Sequence, residues 1–321
     1  MGAEPTIEDI YPLTPLQQGM LFHAVRDGDE HVYLERFRRT YDHLHVDRYL
    51  AAWRQVVALH PALRTAFLWE ESEQPVQVVL APDAADLEIE IVAREGPTAA
   101  LPLHAAPLMR VELVALGGDR YELVWTYRHL ILDGWSAALV LQDVERAYRG
   151  GALTEPPPFR EFVLALGRID QSGEATFWRQ YLAGFRAPTP LPFGRHARHV
   201  GRRGSVRHPL PEGRLDALTA FARDRRVTVS SCAIAAWALV LARHAGTTDV
   251  VFGVATSGRS LDVDGIDRVV GLAMNAVPMR VEVDPFCTAG AWVERVHRAA
   301  VELRDHEHAG RHGGVLPARP V

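Results

Sequence analysis

The sequence predicts a mixed α/β (α+β) protein whose helices and strands form two lobes joined by a linker. Helical and strand-like periodicities alternate along both halves of the chain in a loosely similar order. Between the halves, residues 186–208 are rich in Gly, Pro, Arg and His and show almost no periodicity. We therefore expect a first lobe at residues 1–185, a linker at 186–208 and a second lobe at 209–308. Residues 309–321 lose helical periodicity and are expected to be loose or disordered.

The first predicted helix begins at Thr14. An N-cap hydroxyl there is followed by Pro15 at the first helical position and by a capping-box glutamine at Gln17, so a helix should run to about Val25. A second helix follows, with apolar residues at helical spacing and a proline that stops it. Its apolar positions are Val46, Leu50, Trp53 and Val57, its stop is Pro61, and the strands predicted after it are residues 63–68, 76–80 and 87–92.

A β-hairpin is predicted next, because two arms rich in β-branched and aromatic residues flank a Gly-Gly-Asp turn. The arms are residues 109–115 and 121–127. The second arm leads directly to His129, and after Gly134 the pattern changes to the helical period. A helix is therefore expected over about residues 135–149. This order of elements places His129 at the end of a strand, where polar site residues are commonly displayed.

The remaining elements follow from the same periodicities. Two more helical stretches end near Phe185, and beyond the linker the pattern predicts alternating helices and strands. The predicted helices are residues 213–225, 230–244 and 288–306, and the predicted strands are residues 249–255 and 276–283.

Composition excludes several classes of function. With 48% hydrophobic and 23% charged residues the chain is of ordinary globular composition, and a net charge of −5 gives no reason to expect nucleic acid. No run of about 18 apolar residues occurs, and the acidic N-terminus is unlike a secretory signal, so we expect no membrane contact and a cytoplasmic location. The two cysteines, Cys232 and Cys287, have no paired metal or redox spacing and are expected to be unpaired thiols.

No metal site is expected among the 15 histidines. His306 and His308 are too close together for ligands on one helix face, which need a spacing of about three or four residues. His196, His199 and His208 fall in the predicted linker, where they should be solvated.

The most informative segment contains His129, Asp133 and Gly134. A neutral imidazole can accept a proton near neutral pH, and a glycine permits a tight turn beside it. Asp133 lies between Leu132 and Gly134, so its carboxylate should point inward, where only an arginine or backbone donors would satisfy it. An ordinary strand-end histidine followed by a helix N-cap aspartate would have the same pattern, and these residues alone do not separate the two interpretations.

Several segments in order resemble the condensation-domain family of non-ribosomal peptide synthetases. The segment around the histidine is similar to the signature of that family, a paired His, three mostly apolar residues and Asp-Gly, often followed by Trp-Ser. Five more segments are similar to its other motifs, and the resemblance covers the chain from Tyr11 to about His308. These segments are Leu13-Thr14-Pro15-Leu16-Gln17-Gln18-Gly19-Met20-Leu21-Phe22-His23, His60-Pro61-Ala62-Leu63-Arg64-Thr65-Ala66-Phe67, Phe177-Trp178-Arg179-Gln180-Tyr181-Leu182, and Ser257-Gly258-Arg259 with Val270-Gly271-Leu272-Ala273-Met274-Asn275-Ala276-Val277-Pro278-Met279-Arg280.

The resemblance implies two chloramphenicol acetyltransferase-like lobes in a V-shaped pseudo-dimer. It implies peptide-bond formation between a peptidyl or aminoacyl thioester on a donor carrier protein and an aminoacyl thioester on an acceptor carrier protein. Both substrates would be held on phosphopantetheine arms, with no intrinsic cofactor, and adenylation domains of the same assembly line would be further partners. Residues 12–20 and the apolar residues 130–132 are most similar to the subgroup that joins a D-configured donor to an L-configured acceptor.

The resemblance also implies roles for single residues. His129 corresponds to the second His of the signature and would bind or deprotonate the acceptor amine. Asp133 would be architectural, with Arg259 as the first choice of partner and Arg64 as the second, because both lie in motif-like segments. Gly134 would allow close approach of the reacting carbonyl. Two further residues, Trp135 and Ser136, would shape the channel mouth, and an ordinary place in the core is the alternative interpretation for the tryptophan.

The chain departs from the family pattern in two ways. Arg128 stands where the family usually has its first His, and its charge should need a carboxylate or solvent. Typical members continue past His308, so the resemblance implies a second lobe that is incomplete at its C-terminus. Two alternatives remain open: a catalytically silent docking domain for carrier proteins or tailoring enzymes, and a free-standing acyltransferase that uses coenzyme A thioesters.

Overall fold

The computed structural model of the chain describes residues 6–28, 31–70, 73–85, 87–96, 100–185, 188–190 and 206–308. The chain divides into two compact units. The first unit comprises Met1–Ile169 with Ser257–Asn275, and the second comprises Asp170–Thr256 with Ala276–Val321. Most of the predicted linker, with His196 and His199, and all of the predicted tail lie outside the described residues.

This division differs from the predicted lobe boundaries in two places. Residues 170–185, which we placed in the first lobe, group with the second unit. Residues 257–275, which we placed in the second lobe, group with the first unit. The physical reason for the second difference is a set of hydrogen bonds between this segment and the loop that follows His129, described below.

The first unit contains two antiparallel hairpins and the helices that pack on them. Its sequence forms a capping box at Thr14, as predicted, because the Thr14 hydroxyl accepts from the Gln17 amide and the Gln17 side chain accepts from the Thr14 amide. In chain order its elements are β1 (Ile7–Pro12), α1 (Pro15–Asp27), β2 (Leu34–Tyr41), α2 (Val46–Leu59), a 3-10 turn (Pro61–Arg64), β3 (Thr65–Leu68), β4 (Val76–Leu80), β5 (Ile89–Val92), β6 (Met109–Gly117), β7 (Arg120–Arg128), α3 (Gly134–Tyr148) and α4 (Phe159–Leu166).

The described strands of this unit form two sheets. One has the order β1-β4-β3, and the other has the order β2-β7-β6-β5. The pairs within these sheets are antiparallel except β5 with β6, which is parallel. The predicted hairpin is the β6–β7 pair, in which Met109 lies opposite Tyr127. As a result, β7 is an inner strand of its sheet, and its end at Arg128 is held by neighbours on both sides.

The main core of the first unit packs α2 and α3 against the four-stranded sheet. Trp53 on α2 and Trp125 on β7 are both fully buried, with ring centroids 5.2 Å apart. Val140 on α3 belongs to the same cluster. Burial of side chains of this size stabilises a fold by about 1.5 to 3 kcal/mol each, so this cluster fixes the sheet against the two helices.

The second unit is built around two tryptophans. Trp178 and Trp292 lie in one buried cluster, and Arg280 forms an ion pair with Asp249 at 2.8 Å. Cys232 is buried and Cys287 partly buried, and both are free thiols, as predicted. The elements are α5 (Gln171–Tyr181), α6 (Arg214–Asp224), α7 (Val229–Ala245), β8 (Asp249–Thr256), β9 (Asn275–Glu282), α8 (Ala289–Glu302) and a 3-10 turn (Leu303–His306), with β8 paired to β9.

None of the helices in the described part of the chain is, by itself, long and apolar enough to cross a membrane. Helices α6 and α7 together have the length and composition, but they are bent by 103° at their junction.

Candidate active site

His129 stands at the end of an inner strand. It follows β7 directly, and its backbone amide donates to the carbonyl of Tyr33 at 2.7 Å. The residue is partly exposed, and within the described part of the chain its buried Nδ1 atom meets no hydrogen-bond partner. The neighbouring Tyr127 is not available as a base, because burial, with the charges of Glu35 and Asp133, raises its pKa to about 12.

Several hydrogen-bond donors surround the carboxylate of Asp133. It is the N-cap of α3 and accepts from the Ser136 amide at 2.7 Å. Of the two arginines predicted as its partner, Arg259 occupies that position, 2.9 Å from the carboxylate, with both side chains at least 94% buried. The amides of Ala273 and Met274 donate to the same carboxylate, each at 3.1 Å. A buried carboxylate with this many donors is fully satisfied, so it organises the loop and does not orient the imidazole.

Arg64, the second predicted partner of Asp133, is occupied elsewhere. Its guanidinium is buried and pairs with Glu8 at 2.7 Å. It also donates to the carbonyls of Val57, Ala58 and Leu80. These contacts join β1, α2 and β4, so Arg64 supports the three-stranded sheet and not the loop after His129.

Ser136 is wholly buried, and the prediction that it lines a channel mouth is wrong. Its hydroxyl donates to the carbonyl of Gly271 at 2.7 Å and accepts from the Gly271 amide at 3.0 Å and from Arg259 at 2.9 Å. Glycine is required at position 271, because a Cβ there would lie 2.1 Å from the ring of Phe159. Ser136 therefore clamps the 257–275 segment onto the start of α3.

Trp135 is exposed, unlike its neighbour. Its side chain is 53% exposed, and its indole nitrogen donates to the carbonyl of Asp267 at 2.8 Å. The Arg259 guanidinium lies 5.5 Å from the ring centroid, within the range of a cation–π contact. Trp135 is thus a surface residue next to the loop, and it covers one face of the arginine that holds Asp133.

Gly134 lies in open space. A Cβ built at this position meets no atom of the described residues within 4 Å, apart from its chain neighbours and the backbone of its own helix, so packing does not demand glycine here. Arg128, in contrast, is buried and donates to the carbonyls of Leu101 and Val32, each at 2.8 Å. These backbone carbonyls were not among the partners predicted for this charge, and carbonyl oxygens accept well from guanidinium groups.

Sequence reasoning missed several groups that hold this loop. Gln17, which was assigned a capping role and a place in a motif-like segment but no contact with this loop, donates to the carbonyl of Leu130 at 2.9 Å. The amides of Ala273 and Met274 were also missed, because a backbone donor has no side-chain signature. The only signal in the sequence was the motif-like character of the segments that contain them. No cluster of three or more His, Cys, Asp or Glu side chains within the described ranges could hold a metal ion.

Comparison with known proteins identifies the family. A family model described as the condensation domain matches residues 7–311 of this chain. The chain belongs to the condensation-domain family. Chondramide synthase cmdD of Chondromyces crocatus is 35% identical over 96% of this condensation domain, and a linear gramicidin synthase of Brevibacillus parabrevis is 34% identical over 96%. The domain spans only 9% and 4% of the lengths of these two relatives.

Solved structures confirm the predicted fold class. The condensation domain from Monacolin K polyketide synthase MokA matches with a TM-score of 0.78 at 17% identity, covering 96% of this chain and 75% of that one. The first condensation domain of the CDA synthetase matches with a TM-score of 0.76 at 22% identity, covering 94% and 77%. At these identities the likeness shows the fold, which is mixed α/β and chloramphenicol acetyltransferase-like.

Proposed function

We propose that this condensation domain forms amide bonds in non-ribosomal peptide synthesis. It joins a donor acyl group, held as a thioester on one carrier protein, to the amine of an aminoacyl thioester on a second carrier protein. The single observation that carries the proposal is the placement of His129: a partly exposed histidine at the end of β7, on a loop whose carboxylate is fully engaged by other donors. Family membership and the synthases among its relatives support the same reaction class.

The chemistry proposed for His129 is general-base assistance to aminolysis. The acceptor amine attacks the thioester carbonyl, a C–N bond forms, and the C–S bond breaks. His129 takes a proton from the attacking nitrogen, and the leaving thiolate recovers one as the free thiol. Alignment of two tethered substrates supplies a large share of the rate, since it replaces an encounter in solution. The open space at Gly134 is where the thioester carbonyl would approach.

The partners follow from this reaction. Donor and acceptor carrier proteins would deliver the substrates on phosphopantetheine arms, and adenylation domains would load those carriers. The domain itself needs no bound cofactor for aminolysis of a thioester, because the sulfur is already a good leaving group. Localisation would then be that of the synthetase.

We infer further that the donor is D-configured and the acceptor L-configured, from the similarity of residues 12–20 and 130–132 to that subgroup. Leu130, Ile131 and Leu132 are buried in the main core. They would therefore act on stereochemistry by setting the backbone path of the loop. A competition between D- and L-aminoacyl donor carriers tests this inference, and preference for the L-donor contradicts it.

The reaction is tested by mass spectrometry of carrier-bound products after the chain is mixed with loaded donor and acceptor carriers. A dipeptidyl thioester on the acceptor carrier is expected, and His129→Ala should reduce its rate of formation by about a hundredfold or more. His104→Ala, on an exposed histidine, is the matched control and should change nothing.

The two alternative functions give different results in the same assay. A silent docking domain gives no product with the wild-type chain, or gives product that is insensitive to His129→Ala. A coenzyme A-dependent acyltransferase turns over an acyl-coenzyme A with a small amine and ignores the loaded carriers. Either result overturns the proposal.

A further inference from the structure

Two buried glutamines link α1 to the loop that carries His129. Gln17 is 1% exposed and Gln77 is 2% exposed. The Gln17 amide nitrogen donates to the carbonyl of Leu130 at 2.9 Å and to the side-chain oxygen of Gln77 at 3.0 Å. The Gln77 nitrogen in turn donates to the carbonyl of Pro12 at 2.9 Å. The residue after His129 is thus tied, through a side chain, to the first helix of the domain.

The orientation of these amides is fixed by their partners. The Gln17 oxygen accepts from the Thr14 amide at 2.8 Å, and its nitrogen faces two oxygens. Rotating the amide by half a turn would place oxygen against oxygen and nitrogen against an N–H group. The acceptor and both donor hydrogens of Gln17 are therefore in use, and loss of any one would leave a buried polar group unsatisfied.

The capping role alone does not explain glutamine at this position. A capping box works with Glu as well as Gln, because the cap needs only an acceptor for the backbone amide of Thr14. Glutamate would keep that bond but would place a carboxylate against the Leu130 carbonyl and the Gln77 oxygen. The requirement for an amide therefore comes from the loop after His129 and not from the helix.

We propose that Gln17 is a positioning residue for His129. The imidazole precedes the peptide whose carbonyl Gln17 binds, and the other fixed points of the loop are the His129 amide on Tyr33 and the carboxylate of Asp133. Gln17, on α1, binds the Leu130 carbonyl at a position of the loop between these two points. The consequence for turnover rests on the proposed function, whereas the effect on the loop does not.

The test compares Gln17→Glu with Gln18→Glu in the full chain. Gln18 is the neighbouring, exposed glutamine, so the second variant makes the same chemical change without touching the loop. Hydrogen–deuterium exchange of residues 129–133 should be about tenfold faster in Gln17→Glu, since the buried hydrogen bond to the Leu130 carbonyl is lost. Exchange in α1 should stay unchanged, because glutamate still caps the helix. Gln18→Glu should match the wild type in both segments.

A second pair of variants keeps the test decisive if the buried carboxylate prevents Gln17→Glu from folding. Gln17→Met and Thr14→Ala each weaken the cap of α1, but only Gln17→Met removes the bond to Leu130. Faster exchange at residues 129–133 in Gln17→Met than in Thr14→Ala supports the positioning role. Equal exchange at these residues in both variants, or in Gln17→Glu and Gln18→Glu, overturns it.

The carrier assay separates this inference from the proposed function. With aminoacyl-loaded donor and acceptor carriers, Gln17→Glu should lower kcat about tenfold and leave KM for both carriers unchanged, since the imidazole is displaced and the carrier surfaces are not. A wild-type chain without product but with the exchange effect refutes the proposed function and keeps the positioning role. If the wild-type chain forms product but Gln17→Glu shows no faster exchange, the positioning role is refuted and the proposed function stands.

Discussion

At the scale of single residues, Asp133 is a buried charged group whose replacement should strongly reduce the stability of the fold. Replacing it with Asn removes the charge that Arg259 meets, while the guanidinium stays buried with no counter-charge in its place. Removing one member of a buried ion pair typically costs about 3 to 5 kcal/mol. We expect the free energy of unfolding of Asp133→Asn, measured by urea denaturation, to fall by about that amount.

An exposed ion pair in the same unit is the control for this prediction. Arg160 pairs with Asp9 at 2.9 Å, but its side chain is 48% exposed. Solvent screens such a pair, so Arg160→Gln should cost less than about 1 kcal/mol. Similar losses of stability in the two variants would mean that burial is not the reason why the Asp133–Arg259 pair contributes strongly to the free energy of unfolding.

A substitution at Gly134 distinguishes an effect on stability from an effect on the proposed reaction. Because a Cβ there would not press on any other described part of the chain, Gly134→Ala should leave the thermal midpoint of unfolding unchanged. The added methyl group would occupy the space assigned to the thioester carbonyl, and we expect product formation to fall about tenfold to a hundredfold. Gly96→Ala, at a position with equally open surroundings, should leave the carrier assay unchanged. A drop in both variants would remove the special role of Gly134.

The sequence allowed part of the site to be predicted. His129, Asp133 and Arg259 carry side-chain chemistry and motif context, and the Asp133–Arg259 ion pair lies where the sequence placed it. The burial of Ser136 and the two bonds of the Gln17 amide to distant groups were not predictable. Their partners are backbone atoms or residues 60 to 135 positions away along the chain, and periodicity has no access to such contacts.

At the scale of secondary-structure elements, strong periodicity decided which elements were predicted. Hairpin β6–β7 and helices α1, α2 and α3 lie where the apolar pattern placed them. Strands β1 and β2 were missed, because β2 carries arginine and glutamate on a largely exposed face and resembles a loop in sequence. The predicted strand at residues 63–68 begins as a 3-10 turn, since Pro61 favours a turn at its start.

The end of the second unit should respond to acid. His308 lies after the final 3-10 turn, and burial lowers its pKa below the usual 6.5, although the charges of Glu307 and Glu174 oppose the shift. The unfolded chain then binds a proton at a higher pH than the folded chain. Stability from this residue is fully present above 6.5 and is lost as pH falls through the lower, folded pKa.

The measurement is the thermal midpoint of unfolding at about pH 7.5 and about pH 5. Wild type should lose more stability on acidification than His308→Gln, which has no proton to take up. An equal loss in the two proteins would assign the acid response to other groups.

At the scale of the whole molecule, the chain shares one segment between units. After β8 it supplies residues 257–275 to the first unit and returns to the second with β9. A fragment of residues 1–169 therefore lacks Arg259, Gly271 and the two amides that satisfy Asp133. We expect it to unfold at a lower temperature than the first unit in the intact chain.

Addition of the missing segment tests the reason for that instability. A synthetic peptide of residues 257–275 should raise the thermal midpoint of the fragment, by mass action on its folded state. The same peptide with Arg259→Gln should raise it less. If both peptides act equally, the ion pair is not what the fragment lacks.

The shared segment also sets an order of events at the ribosome. Asp133 and Arg259 are separated by 126 positions, so Asp133 emerges first and waits for its partner. At typical synthesis speeds the delay is roughly 6 to 25 seconds, long compared with the formation of a hairpin or helix. In the nascent domain, the loop after β7 therefore lacks the partners of Asp133 until residues 257–275 have been synthesised. A polypeptide stalled before that point would be a substrate for chaperones and proteases.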